Sequence, residues 1–335
     1  MIADDFIVFS DLHLHNWNYG ARSIQGVNSR LLYQVRVLKQ IEHYARRNRI
    51  KNIYFCGDLF HGHHTLHLGP LSFAAKVFSR WKKFGFNLVL LVGNHDIADK
   101  KRSFNSLEPF KNIATIVDKK KKISDNIFAL PFTSNKKELD NFLNQNFPKD
   151  SILLMHQGIM NTPINSKGFI INDEILDPMN IPSQVKWAFV GHYHSHKIIN
   201  NLIIPGSPMQ HTWTDSNEQR GWLHIKNDEI KHIESRAPKF IRVTKLDSSV
   251  KGNYVRMLKT NDDYKEILQE AKKIGALSTE IEFEQTKNTF VSIKDEKLNL
   301  ETIIQKYGEQ RQFTQEFIDI GLKIASYEFE KSNNI

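Results

Sequence analysis

Short apolar runs punctuate the first part of the chain, and each one stops at a polar or glycine-containing loop. The runs are Phe6–Phe9, Ile53–Cys56, Leu88–Val92, Ile113–Val117, Ile127–Leu130, Ile152–Met155 and Trp187–Val190. They are apolar almost throughout, as expected of strands buried on both faces. After the first run, Leu31, Val35, Leu38, Ile41 and Ala45 recur at three- and four-residue steps. This spacing predicts a helix with Ser29 as its N-cap, running to about Asn48. A second helix is expected from Leu71 to Phe84, ended by Gly85. Strands alternating with helices imply a layered α/β domain with a central β core and helices outside.

From Ile198 the pattern turns to β: Ile198-Ile199, Leu202–Ile204, Gly221–Ile225, Ile230–Ile233 and Phe240–Val243, with a rigid Pro205-Gly206-Ser207-Pro208 turn among them. A small strand, helix, strand unit follows at Tyr254–Leu258, Asp262–Ile274 and Thr279–Phe283. The end of the chain reads as helical, with an apolar stripe at Phe313, Phe317, Ile320, Ile324 and Tyr327. Three regions are expected: 1–236, a small α/β unit at 237–296, and C-terminal helices at 297–335.

Five polar clusters sit where apolar runs end. They are Asp11-Leu12-His13, Gly57-Asp58, Gly93-Asn94-His95-Asp96, His156, and Gly191-His192-Tyr193-His194. In α/β sheets the strand ends converge at one rim, where sites assemble. Taken singly, each cluster also suits a turn, a helix cap or a core contact; their joint occurrence in order is the signal. Two divalent cations about 3.5–4 Å apart can hold both the attacking and the leaving oxygen of a phosphoester. Such a site needs oxygen and nitrogen ligands and a bridging carboxylate. A mixed imidazole and carboxylate set suits Mn, Fe or Zn better than Ca or Mg. Glycines before Asp58, Asn94 and His192 would let backbone and metal approach closely. On extended backbone, Asp11 and His13 would point to one side, and so would His192 and His194.

Composition adds limits. The chain has 335 residues, 40% hydrophobic and 25% charged, which fits a soluble globular protein. No run approaches the ~20 apolar residues that span a bilayer. The N-terminus enters a strand at once, so no signal peptide and a cytoplasmic setting are expected. Cys56 is the only cysteine and reads as a small core residue. Residues 1–236 carry 30 Lys/Arg against 21 Asp/Glu, whereas residues 237–335 carry 16 of each. The whole excess of +9 therefore falls on the region with the clusters, which suits a polyanionic substrate, nucleic acid above all. Lys100 to Arg102 and Lys119 to Lys122, taken alone, read as solvated loops.

The five clusters resemble the signature of the calcineurin-like metallophosphoesterase superfamily. The resemblance implies a β-sandwich flanked by helices and two metal ions. Asp11, His13, Asp58 and His194 would hold one ion; Asp58, Asn94, His156 and His192 would hold the other, with Asp58 bridging. His95 would serve the leaving oxygen, and Asp96 would orient His95. A closer resemblance is to SbcD-type double-strand-break nucleases and the nuclease subunit of phage recombination endonucleases. It rests on Gly57-Asp58-Leu59-Phe60-His61, the Gly206-Ser207 turn, the Arg220-Gly221-Trp222 step and the C-terminal layout. It adds His61 to the catalytic set and implies Mn2+ and DNA, as double-strand ends or single strands. It also implies a capping unit, C-terminal helices that dock an SbcC-type ABC ATPase, a homodimer, and host cytoplasm if the chain is phage-encoded. The loop Gly62-His63-His64-Thr65-Leu66-His67 departs from that family. The other readings are a phosphodiesterase or phosphatase on nucleotides or small phosphoesters, and a non-enzymatic DNA tether. Val92 and Asp96 argue against a protein phosphatase, which would carry Arg and Glu there.

Overall fold

Strand β1 (Asp5–Phe9) divides its side chains between two cores: Phe6 and Val8 enter one apolar cluster, Ile7 and Phe9 another. This alternation is the period-two pleat of a strand covered on both faces. The computed structural model describes residues 5–63, 65–99, 104–162, 175–259, 264–283, 300–310 and 313–332. They belong to two compact units, Met1–Glu284 and Gln285–Ile335.

In the first unit β1 lies inside a six-stranded sheet. Its order is β14 (Glu229–Glu234), β13 (Gly221–Lys226), β1, β4 (Asn52–Phe55), β5 (Asn87–Leu91), β6 (Thr115–Val117). β1, β4, β5 and β6 are parallel; β13 and β14 close the edge antiparallel. A second six-stranded sheet has the order β11 (Lys197–Ile199), β12 (Leu202–Ile204), β10 (Val185–Gly191), β9 (Ser151–His156), β8 (Ile127–Leu130), β7 (Lys121–Ser124). Its inner strands β12, β10, β9 and β8 are parallel.

The sheets share an inner core in which Phe6, Val8, Val89 and Leu91 meet Ile152, Leu154, Phe189 and Ile203. Outside the first sheet, Ile7, Phe9, Phe55 and Leu90 pack on α1 (Ser29–Asn48) and α2 (Leu68–Lys83) through Leu38, Ile41, Phe78 and Trp81. Outside the second, Leu153, Met155 and Val190 meet Leu139, Phe142 and Leu143 of α3 (Lys136–Leu143). The result is a β-sandwich flanked by helices, as expected. The C-terminal ends of β1, β4, β5, β9 and β10 open on the loops that carry the five polar clusters.

Several local expectations shift. The cap of α1 is Asn28 rather than Ser29: its side chain accepts from the amides of Arg30 and Leu31. Asn28 closes a short hairpin of β2 (Ser23–Ile24) and β3 (Val27–Asn28). α2 begins at Leu68, three residues before the apolar periodicity suggests, with Pro70 in its first turn, where proline's missing N–H costs nothing. Lys121 and Lys122 lie in edge strand β7, a position that favours lysine, and residues 100–103 lie outside the described residues. α3 was hidden by its short length; Asn135 caps it.

The strands after Pro238 belong to this unit too. β15 (Phe240–Val243), β16 (Tyr254–Lys259) and β17 (Ser278–Phe283) form a parallel sheet, with α4 (Tyr264–Ile274) between the last two. Arg30 at the start of α1 joins this sheet to the rest. It is 1% exposed, and its guanidinium lies 5.1 Å from the Phe240 ring centre and 4.9 Å from that of Tyr254. It donates to the carbonyls of Tyr19 at 2.9 Å and His211 at 2.7 Å. The aromatic faces and carbonyls offset the loss of water around the cation.

The second unit pairs α5 (Leu300–Gln310) with α6 (Gln315–Ser332). Ile318 is buried against Gly308, while Phe313, Phe317 and Ile320 of the expected stripe are exposed. The side chains of Ile324 and Tyr327 lie outside the described residues. Among the described residues no helix is long and apolar enough to cross a membrane. Asn28→Ala is expected to lower stability by about 1 kcal/mol, read as a shifted urea midpoint at unchanged slope.

Candidate metal centre

The loops beyond β1 and β4 run side by side. The amides of Asp11, His13 and Leu14 donate to the carbonyls of Gly57, Asp58 and Leu59 at 2.9, 3.0 and 2.8 Å. This brings Asp11, His13 and Asp58 together. None of the three is extended: their φ angles are 53°, 46° and 61°, and that of His192 is 105°. Asp11 and His13 do meet in one group, though not by strand alternation, whereas the expectation that His192 and His194 point to one side fails. Left-handed backbone re-aims each side chain, and the two histidines of the last cluster reach different ligand groups.

Among the described residues Asp11, His13 and His194 converge in a first group, Asp58, His156 and His192 in a second, and His13, His61 and His95 in a third that shares His13 with the first. In the first, the Nε2 atoms of His13 and His194 are 3.2 Å apart, and Asp58 Oδ2 is 3.6 Å from His13 Nε2. In the second, Asp58 Oδ1 is 3.4 Å from His156 Nε2. There Asn94 Oδ1 lies 3.0 Å from His156 Nε2 and 2.9 Å from His192 Nδ1. Metal–ligand bonds of about 2.0–2.2 Å place neighbouring donors roughly 3 to 3.5 Å apart, so both groups fit a divalent ion. Asp58 turns one oxygen to each group, which is the geometry of a bridging carboxylate.

Further partners orient the rings, and one fixes a tautomer. His156 Nδ1 donates to the Cys56 carbonyl at 2.6 Å, which leaves Nε2 for the centre. His13 Nδ1 faces His61 Nδ1 at 3.5 Å. His194 Nδ1 faces the buried Asp215, 3.7 Å from Oδ1, and Arg220 Nη2 reaches the same oxygen at 3.0 Å. Electrostatics follows this arrangement. Burial opposes charge on Asp58, but His156, His13 and His95 hold it far below the usual carboxylate range. Burial likewise opposes charge on His156, and Asp58 with Asp11 raises it to about 9. His61 drops to about 4 through burial and the nearby rings of His95, His15 and His63.

His95 lies beside the two groups. Its amide donates to Asp58 Oδ1 at 2.9 Å, and its Nδ1 contacts the His61 carbonyl at 2.7 Å. Its ring is stacked with those of His61 and His63, with centres 5.3 and 4.0 Å away. The expected contact from Asp96 to this ring is not formed. Asp96 instead accepts from the amides of Gly93, Asp58, Leu59 and Phe60 and from Ser106 Oγ. It holds two loops together, and the His61 carbonyl orients His95. His61 touches both His13 and His95, whereas His64 lies outside the described residues.

The glycines serve neighbouring loops rather than the ions. A Cβ on Gly93 would stand 2.1 Å from Asp58 Oδ1 and 2.4 Å from the Asp58 amide. One on Gly57, whose φ is 94°, would stand 2.2 Å from His156 Nδ1. The turn after β12 is also part of the support, since the Ser207 amide donates to the His194 carbonyl at 2.9 Å.

Sequence reasoning missed Gln34, His211 and Asp215. Gln34 Nε2 donates to the carbonyls of Leu12 and His13, and His211 Nε2 contacts that of Asp11 at 3.1 Å. Only Asp215 left a signal: Thr212 and Asp215 form a capping box, readable as Thr-x-x-Asp.

A helix-flanked sandwich that gathers two imidazole and carboxylate groups around one shared aspartate defines a metal-dependent phosphoester hydrolase. The family model of the calcineurin-like phosphoesterases matches residues 5–196, and the chain belongs to that family. A search of curated proteins returns no match. Among solved structures the chain is similar to a dimetal phosphatase from Danio rerio, with 10% identity over 67% of this chain and 93% of the other, at a TM-score of 0.39. It is similar to the nuclease MPE from Pseudomonas putida, with 10% identity over 69% and 92%, at 0.32. The calcineurin-like phosphoesterase YfkN from Bacillus subtilis gives 12% identity over 69% and 88%, at 0.35.

Gly93→Ala is expected to push Asp58 out of register and weaken binding of both ions by about tenfold or more. Metal titration of the folded variant reads this directly, and native affinity for both ions would contradict it.

Proposed function

We propose that the protein is a DNA nuclease of the SbcD type that hydrolyses phosphodiesters with two Mn2+ ions and works with an SbcC-type ABC ATPase. The observation that carries the chemistry is the Asp58 carboxylate, which turns one oxygen to each ligand group while His95 stands beside both. Support for DNA as substrate comes from the basic excess of residues 1–236, from His61 after Gly57-Asp58, and from the Gly206-Ser207 turn. In this reading residues 237–296 cap the DNA, and the exposed Phe313 and Phe317 belong to the surface that docks the ATPase.

When bound, the ions neutralise phosphate charge and lower the pKa of water enough to supply hydroxide near neutral pH. The protein's own groups do the rest. His156 presents Nε2 because the Cys56 carbonyl takes its other nitrogen, and His13 turns Nε2 toward Asp58 and His194. His95 commits Nδ1–H to the His61 carbonyl, so a second proton on Nε2 makes it an imidazolium, a form that burial disfavours and the Asp58 carboxylate and His61 carbonyl favour, with a net lowering of its pKa. In that form it neutralises the departing oxygen by donating the Nε2 proton, as the new P–O bond forms on the opposite side and the ester P–O bond breaks. Stacking with His61 and His63 restrains the ring.

The second reading is a phosphodiesterase or phosphatase on nucleotides or other small phosphoesters, which the metal groups serve equally well. The two separate in one assay with Mn2+: linear duplex and single-stranded DNA against bis(p-nitrophenyl) phosphate. Degradation of DNA is expected; intact DNA alongside hydrolysis of the small diester would sink the nuclease reading. His95→Ala is expected to lower turnover by about 10²–10⁴-fold with both ions retained. Asp58→Ala is expected to lose turnover and ions together. Metal analysis of the two proteins checks the roles, and equal metal loss in both would contradict them.

A further inference from the structure

The solvent face of α1 is basic along its length. Arg36, Lys39, His43, Arg46 and Arg47 are exposed on it, at three- and four-residue steps that keep them on one side. The only acid in the helix, Glu42, is buried and paired with Arg80 at 2.7 Å. The helix dipole accounts for cations in the last turn, Arg46 and Arg47. It does not account for Arg36 and Lys39 in the middle, which repel one another.

α1 is also one wall of a groove of about 670 Å³, to which it contributes Tyr33, Arg36 and Gln40. Across the groove, Arg236 and Lys251 are exposed. The Arg236 amide donates to Gln40 Oε1 at 2.8 Å, which pins that wall to the helix. Among the described residues Glu234 is the one acid in the lining, and Lys239 pairs with it. An ordinary surface intersperses both signs. A groove and adjoining ridge whose remaining charges are all positive have the footprint of a polyanion. From Arg36 to Arg47 the ridge runs about 16 Å, against one phosphate charge per about 1.7 Å of duplex axis.

We propose that this groove and the basic face of α1 form an exosite that holds the phosphate backbone of duplex DNA outside the metal centre. The inference rests on the nuclease reading and adds to it where the uncut part of the substrate is held.

The test is a fourfold variant, Arg36→Glu, Lys39→Glu, Arg236→Glu and Lys251→Glu, with a matching set to Gln, in the full chain loaded with Mn2+. Anisotropy of a ~30-bp labelled duplex across a salt series, taken in a His95→Ala background so that the duplex stays uncut, is read beside hydrolysis of bis(p-nitrophenyl) phosphate by the chain with His95 intact. Expected are a duplex Kd about tenfold or more weaker, a salt slope shallower by about 3 to 4, and an unchanged rate on the small diester. Native duplex affinity and slope in both variants would overturn the exosite and leave the nuclease reading standing. If the native protein hydrolyses the diester but neither binds nor cuts DNA, the nuclease reading fails and the exosite with it. Should the Glu set lose the small-diester rate, the Gln set decides: weaker duplex binding at native diester rate supports the exosite, and loss of both overturns it.

Discussion

The Asp96 carboxylate holds the metal centre's two central loops to each other. It is 1% exposed and gathers amides from Gly93, Asp58, Leu59 and Phe60, together with the Ser106 hydroxyl. Burial and the nearby Asp58 carboxylate push it up to about 7, while the amides of Gly93, Phe60 and Leu59 pull it down. Without the carboxylate, each of those amides would be left buried and unpaired at a cost of roughly 1–3 kcal/mol. Asp58 could then no longer divide its oxygens between two ligand groups.

That division also depends on the sandwich beneath it. The loops of β1, β4 and β5 come from one sheet and those of β9 and β10 from the other. The inner core, from Phe6 and Val8 to Ile152 and Leu154, keeps both rims at one end. Against so rigid a base, left-handed φ angles at Asp11, His13, Asp58 and His192 can persist, although each costs of order 1–3 kcal/mol. The centre thus carries local strain that the packed strands below hold in place.

The strands were legible because burial on both faces writes them as apolar runs, and the ligands because they follow those runs directly. The direction of each ligand was not, because the sign of φ leaves no mark in a pattern of apolar and polar positions. Asp96 was read as a partner of His95 from its adjacency, while three of the amides it accepts from, those of Asp58, Leu59 and Phe60, lie 36 to 38 residues away in the chain. Gln34 and His211 support the site through backbone carbonyls, and a glutamine inside a helix or a histidine in a loop looks the same without that use. Asn28 and Ser29 are both good caps, and only the hairpin before α1 decides between them.

Arg30 sets an order on the making of this molecule. Its cage closes with Phe240 and Tyr254, and its bond to the His211 carbonyl steadies the residue that contacts Asp11. A chain emerging from the ribosome releases Asp11 early and Tyr254 more than two hundred residues later. At about 5–20 residues per second the first ligand waits ten seconds or more for its last support. The support that runs from Arg30 through His211 to Asp11 is therefore complete only once the first two strands of the small sheet have been made.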